Sequence, residues 1–295
     1  MTESKAAGHI AALFTILIWG TTFISTKTLL NDFSPVQILV YRFILGCAAL
    51  FMACPRLMKD TDRKKEIYFA GAGLCGITMY YLLENIALTM ELASNISIIL
   101  SAAPFFTAIL AHIIDREEEP LCGRFFVGFA VAMTGIIILC LNGEGFRINP
   151  AGDILAVTAA AVWAVYSVII RRINSFGYST IQSTSRVFEY GILFMIPVSF
   201  LLGFQWEFAP LGRPVNLLNI LYLGIGASAV CFVTWNYALK SIGTVGASVY
   251  IYAIPAITVA AAVVILGEPL TAGTIAGIVL TLTGLLISEY SKSRK

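Results

Sequence analysis

The sequence predicts an all-α membrane protein with ten transmembrane helices, arranged as two five-helix repeats of inverted topology. Three observations lead there. Of 295 residues, 58% are hydrophobic and only 12% are charged, whereas soluble domains carry about 25% charged residues. Mean hydropathy is +0.86. The apolar runs reach the length of roughly 20 residues that a membrane-spanning helix needs, and a barrel strand is much shorter. Finally, the chain is written twice. Asn85-Ile86-Ala87-Leu88 returns as Asn236-Tyr237-Ala238-Leu239 and Pro104 as Pro255, both at an offset of 151. Glu119-Pro120-Leu121 returns as Glu268-Pro269-Leu270, Gly128 as Gly277 and Thr134-Gly135 as Thr283-Gly284, at an offset of 149. Such self-similarity marks a duplicated structural unit.

The runs place spans near 10–30, 35–54, 67–88, 93–114, 122–142, 152–173, 180–203, 216–239, 244–266 and 271–290. The two units are 10–143 and 151–290. The first run is long and has no small-residue cleavage site, so it reads as a retained signal anchor. The connections carry turn or charge signals: Asn31-Asp32, Pro55 to Glu66, Asp115 to Glu119, Asn142 to Pro150, Asn174 to Gly177 and Gln205 to Pro214. None has room for a soluble domain. The six cysteines (47, 54, 75, 122, 140 and 231) form no CxxC pair and read as small packing residues. His9 and His112 join no ligand cluster, so no metal and no cofactor is expected. No loop forms an extended basic surface, and nucleic acid is not an expected partner.

An even span count puts both termini on one side, and the distribution of lysine and arginine selects that side. With cytoplasmic termini, fourteen basic residues fall on inside segments; only Arg147 and Arg213 fall outside. A cell-membrane location with both termini cytoplasmic is therefore expected. Five spans per half is an odd number. The second half thus enters the membrane from the opposite side, which is the inverted-repeat plan of secondary transporters.

The motif order in each half is Asn-x-Ala-Leu, a span with a central proline, Glu-Pro-Leu, then a glycine-rich span ending in Thr-Gly. This resembles an EamA domain, and two in tandem resemble the drug/metabolite transporter superfamily over about residues 10–290. The resemblance implies a transporter of small metabolites, with many exporters of amino acids or related compounds among its members. It implies a central cavity built mainly from the first four helices of each half. The fifth and tenth helices would lie at the periphery, where they help dimers form. Monomer and homodimer both stay open, as does coupling to a proton or another ion.

Candidate transport residues follow from position. Pro104 and Pro255 interrupt matched spans, the mark of a hinge or binding site. Asn95, Ser97 and Ser101 share one of these helices; Ser248, Tyr250 and Tyr252 share the other. Such groups should face the bundle interior. Trp19 and Trp163 lie at midplane instead of the interface that tryptophan favours, and with Tyr80 are candidates to flank substrate. The ionisable residues within spans are Lys27, Arg42, Glu84, Arg186 and Glu189, all expected toward the outer half as a charged vestibule or coupling group. Three cations against two anions would suit an anionic group on a substrate. Asn85, Asn236, Glu119 and Glu268 read as structural, the glutamates opening the helix that follows each. Gly71 to Gly76 matches GxGxxG but lies within a span, where it serves close helix packing, as do Gly224 and Gly226. Amino-acid export is the favoured function. The rivals are antiport of phosphorylated or nucleotide-linked substrates, and an intramembrane enzyme acting on lipids. The first needs cations converging in the cavity. The second needs an acid–base or metal cluster, and the sequence has none.

Overall fold

The computed structural model describes residues 5–55, 58, 62–114, 123–141 and 150–289. These residues are helical almost throughout: α1 Lys5–Leu29, α2 Pro35–Ala53, α3 Arg63–Met90, α4 Ala93–Ile114 and α5 Gly123–Leu141 in the first half. The second half holds α6 Pro150–Asn174, α7 Thr180–Leu201, α8 Pro214–Ile242, α9 Ile254–Leu266 and α10 Ala272–Glu289. Seven of them are long and apolar enough to cross a membrane by themselves. The ninth is short for a local reason. Helical backbone runs on from α8 to Ile251, a turn follows at Tyr252 and Ala253, and only then does α9 begin. Span nine is thus two half-helices.

The partners of α1 trace this course. Thr21 meets Tyr222, Trp19 meets Ala227 and Thr15 meets Thr234. Gly8 lies against Ile242. Then the direction reverses: His9 meets Tyr250, and Gly20 meets Ile254 and Thr258. Span four is broken in the same place as span nine. Ser101 and Ala102 form a turn between Ala93–Leu100 and Ala103–Ile114. Proline explains both breaks. Pro104 and Pro255 offer no N–H to the carbonyls four residues earlier, those of Leu100 and Ile251.

The halves are interlocked, and their contacts obey the repeat. α1 packs on α8 and α9 of the other half, and its counterpart α6 packs on α3 and α4. α2 packs on α8 as α7 packs on α3. The self-matched pairs α2–α7, α4–α9 and α5–α10 complete the set. This pattern is what an inverted pair of five-helix units generates.

Two π-helical segments, Gly73–Met79 in α3 and Tyr222–Val230 in α8, are also matched. Each begins near a glycine that crosses a neighbour at backbone distance. A Cβ on Gly73 would stand 2.7 Å from the Gly191 nitrogen and 2.8 Å from the Val187 carbonyl oxygen on α7. One on Gly224 would stand 2.7 Å from Leu45 Cβ and 3.0 Å from the Arg42 carbonyl oxygen on α2. Gly76 seats the Tyr166 ring of α6 in the same way. Gly226 has no such neighbour; its Cβ position meets only its own Tyr222 ring at 3.6 Å. At the periphery, Gly135 and Gly284 let α5 and α10 approach backbone to backbone.

Candidate functional site

A cavity of about 510 Å³ lies at the centre of the bundle. α1, α3, α4, α6, α8 and α9 make most of its wall, with Phe125 of α5 and Thr180 of α7, and it reaches the α6–α7 connection, where Asn174, Gly177 and Tyr178 line its mouth. Trp19, Tyr80, Ser97, Ser101, Trp163 and Tyr252 all line it, as does Pro104. Both residues whose carbonyls lose a partner to proline, Leu100 and Ile251, line it too. The two breaks therefore meet at the cavity, as discontinuous helices do in carriers.

The aromatic residues form one connected wall. Trp163 meets Tyr80 at 4.8 Å between ring centroids, Tyr166 at 4.9 Å and Trp19 at 6.1 Å. Trp19 in turn meets Trp235 at 5.4 Å. The Trp19 indole N–H donates to the Ala227 carbonyl at 3.1 Å, inside the π-helical segment of α8. This bond holds the ring against the cavity. Tyr81, Tyr166 and Trp235 are lining residues that the sequence reading missed. Their signal was helical spacing: Trp163 and Tyr166, like Tyr81 and Glu84, are three apart and share a face.

The serines are less available than their positions imply. Ser97 Oγ donates to the Ser94 carbonyl at 2.8 Å and Ser101 Oγ to the Ile98 carbonyl at 2.6 Å. Asn95 does not line the cavity; its side chain donates to Glu91 at 3.4 Å near the N-terminal end of α4. The side chain of Ser248, like Glu119 as a whole, lies outside the described residues. Pro255 is buried and is not part of the lining. Asn85 donates to the Pro35 carbonyl at 3.1 Å and Asn236 to Thr184 Oγ1 at 3.1 Å. The repeated asparagine thus ties the third helix of each half to the second. Asn236 also lines the cavity.

The five charges do not form one vestibule, which corrects the sequence reading. Only Glu84 lines the cavity. Lys27 Nζ donates to the carbonyls of Leu88 and Glu91, at 2.6 Å for the latter, and closes the face opposite the mouth. Arg42 is 1% exposed, donates through Nε to Ser228 Oγ at 2.7 Å and lies 4.1 Å above the Tyr81 ring. Arg186 and Glu189 lie at the other end of the bundle, where Arg186 also pairs with Glu66 at 3.1 Å. α7 starts at the mouth side, so a residue two turns into it stays near that face.

The closed face is stitched by several bonds. Glu268 accepts from the Ala93 and Ser94 amides at 2.8 and 3.2 Å and from Ser94 Oγ. It caps α4 of the first half instead of opening α10, the helix expected from sequence. A carboxylate suits those free amides and the positive end of the helix dipole. Nearby, burial and the neighbouring Asp153 push the Glu91 carboxyl above the usual carboxylate range. Arg213 pairs with Asp32 at 2.7 Å, and Gln37 and Tyr41 bond the backbone of the α7–α8 connection.

Interlocked inverted repeats and matched helix breaks that meet at a central cavity are the architecture of a membrane transporter. The comparisons name its family: the EamA-like transporter family model matches residues 6–141 and again 150–290, and the chain belongs to that family. An uncharacterized transporter of Archaeoglobus fulgidus is 27% identical over 286 residues, spanning 95% of this chain and 96% of that one. A probable terminal-alkyne amino-acid exporter of Streptantibioticus cattleyicolor is 24% identical over 91% of this chain and 88% of its own. A probable amino-acid metabolite efflux pump of Escherichia coli is 25% identical over 95% and 94%. One crystal structure shares the fold with a TM-score of 0.71 at 18% identity, over 99% of both chains.

Proposed function

We propose that this protein is a secondary transporter in the cell membrane, exporting amino acids or related small metabolites by alternating access. The observation that carries this reading is the cavity between two proline-broken, repeat-matched helices, open at one face and stitched shut at the other. Exchanging the roles of the halves would close the mouth and open the opposite side. The distribution of basic residues favours cytoplasmic termini, so the open mouth faces the cytoplasm, as loading for export requires. The names of the Streptantibioticus and Escherichia relatives support the substrate class. The protein is not an enzyme in this reading. Antiport of phosphorylated substrates is the weaker reading: Lys27, Arg42 and Arg186 lie off the cavity wall, and the two cations that do line it, Arg171 and Lys240, are joined on that wall by Glu84.

Reconstitution in liposomes loaded with labelled amino acids and amines tests the proposal. Wild-type protein is expected to release at least one of them faster than empty liposomes do. Trp163→Ala and Ser97→Ala should slow release while leaving folded protein in the membrane. Absence of any solute movement, accompanied by chemical change in a lipid, overturns it.

A further inference from the structure

Glu84 is 2% exposed, yet its side chain lines the cavity. A carboxylate removed from water is costly unless a cation or several donors face it. Among the described residues Glu84 forms no ion pair. Arg42 lies within its electrostatic reach, and the Tyr80 hydroxyl is its hydrogen-bonding neighbour. But the Arg42 guanidinium is held behind the wall, on the Tyr81 ring and on Ser228, and is not part of the lining. On the cavity side Glu84 has aromatic neighbours: Tyr80 and Tyr81 lie one turn earlier on α3, and Trp163 meets Tyr80 across the gap. The faces of tryptophan and tyrosine attract cations electrostatically, more strongly when water is excluded. Arg171 and Lys240 line the cavity nearer its mouth.

We infer that Glu84, with Tyr80, Tyr81 and Trp163, forms the subsite for a substrate's ammonium group. The substrate class is therefore a small amine or amino acid that enters ammonium first, its carboxylate, where present, left toward the mouth. This deepens and rests on the transporter reading above. It requires a cationic nitrogen on every good substrate, and it does not require an aromatic side chain.

Binding to purified protein, followed by intrinsic tryptophan fluorescence, tests it. Three probes share one skeleton: L-leucine, 4-methylpentanoate, which lacks the ammonium, and isopentylammonium, which lacks the carboxylate. Wild-type protein should bind both ammonium compounds at least tenfold more tightly than 4-methylpentanoate, a difference of about 1.4 kcal/mol. Glu84→Gln should remove most of that preference. Equal binding of all three probes by wild-type protein overturns the inference without use of any variant. An unchanged preference in Glu84→Gln overturns it as well. Efflux of L-leucine from proteoliposomes is measured in parallel. Efflux without ammonium preference sinks the subsite and leaves the transporter standing, whereas binding preference without movement of any solute sinks the transporter reading and leaves the subsite.

Discussion

At the scale of single residues, several charges outside the cavity are held by named partners, which makes them testable. Asp32 accepts from Asn216 Nδ2 and Arg213 Nη1, both at 2.9 Å or less. The Asn216 hydrogen bond, with the Arg213 charge beside it, holds the Asp32 carboxyl below its ordinary value of 3.8. A carboxylate depressed on folding stabilises above its unfolded value, and that stabilisation is lost as pH falls through the lower folded value. Thermal unfolding of the purified protein should therefore show an acid-sensitive component below about pH 4. Asp32→Asn should lower the midpoint at neutral pH and flatten this acid limb. Identical limbs in the two proteins would show that the pair ties nothing together. Why was this partnership hidden in the sequence? Asp32 and Arg213 lie in connections 181 positions apart. Hydropathy says that such residues are outside the bilayer but not which of them meet. Glu84 is the converse case. Its burial was legible from a single carboxylate in an apolar run, but its place on the cavity wall depends on the rotation of α3, which periodicity fixes only roughly.

Helices and their crossings were more legible, because the bilayer imposes length and apolarity on each one. The helix breaks could be read from Pro104 and Pro255, since a missing N–H acts in any context. What pattern could not reveal is that a glycine near the start of each π-helical segment serves the same crossing in each half. Gly73 meets α7 and Gly224 meets α2 at backbone distance, so a methyl group at either has nowhere to go. Overpacking of this kind costs about 1–3 kcal/mol. Gly73→Ala and Gly224→Ala should each lower the unfolding midpoint of the purified protein, and by similar amounts. Gly212→Ala, which meets nothing within 4 Å, is the control and should leave it in place. An unshifted midpoint for either crossing glycine would mean that the helices part there at little cost, and that the crossing is no fulcrum. Glu268 teaches the opposite lesson. Its position before Pro-Leu was read as the start of its own helix, whereas it caps α4 across the repeat boundary. Local chemistry identified the helix N-terminus correctly and the helix wrongly, since only tertiary packing chooses among free amides.

For the whole molecule, the inverted repeat makes a claim about motion that a single structure can only half display. Each half supplies one broken helix to the cavity, and the main packing pairs between the halves recur when the halves are exchanged. A second arrangement, with the mouth closed and the opposite face open, is then close in kind to the one seen here. In the proposed exchange, bonds specific to one face, such as those of Lys27 and Glu268, would be replaced. Site-directed labelling reads this directly. In protein whose native cysteines have been replaced, Glu207→Cys marks the closed face and Asn174→Cys the mouth. With cytoplasmic termini, an impermeant maleimide added to intact cells should reach the first, and reach the second only after permeabilisation. The reverse pattern would turn the protein over in the membrane and make the open mouth an uptake port. Ser101→Cys decides between a carrier and a static pit. Ser101 is 2% exposed and lies at the break of α4, on the cavity wall. If the halves exchange roles, reagent must reach it from either side of the membrane, more slowly from the outside. Substrate in the medium should protect it from both. Reaction from the mouth side alone, however long the exposure, would mean that the repeat built a symmetrical scaffold without the exchange that its symmetry permits.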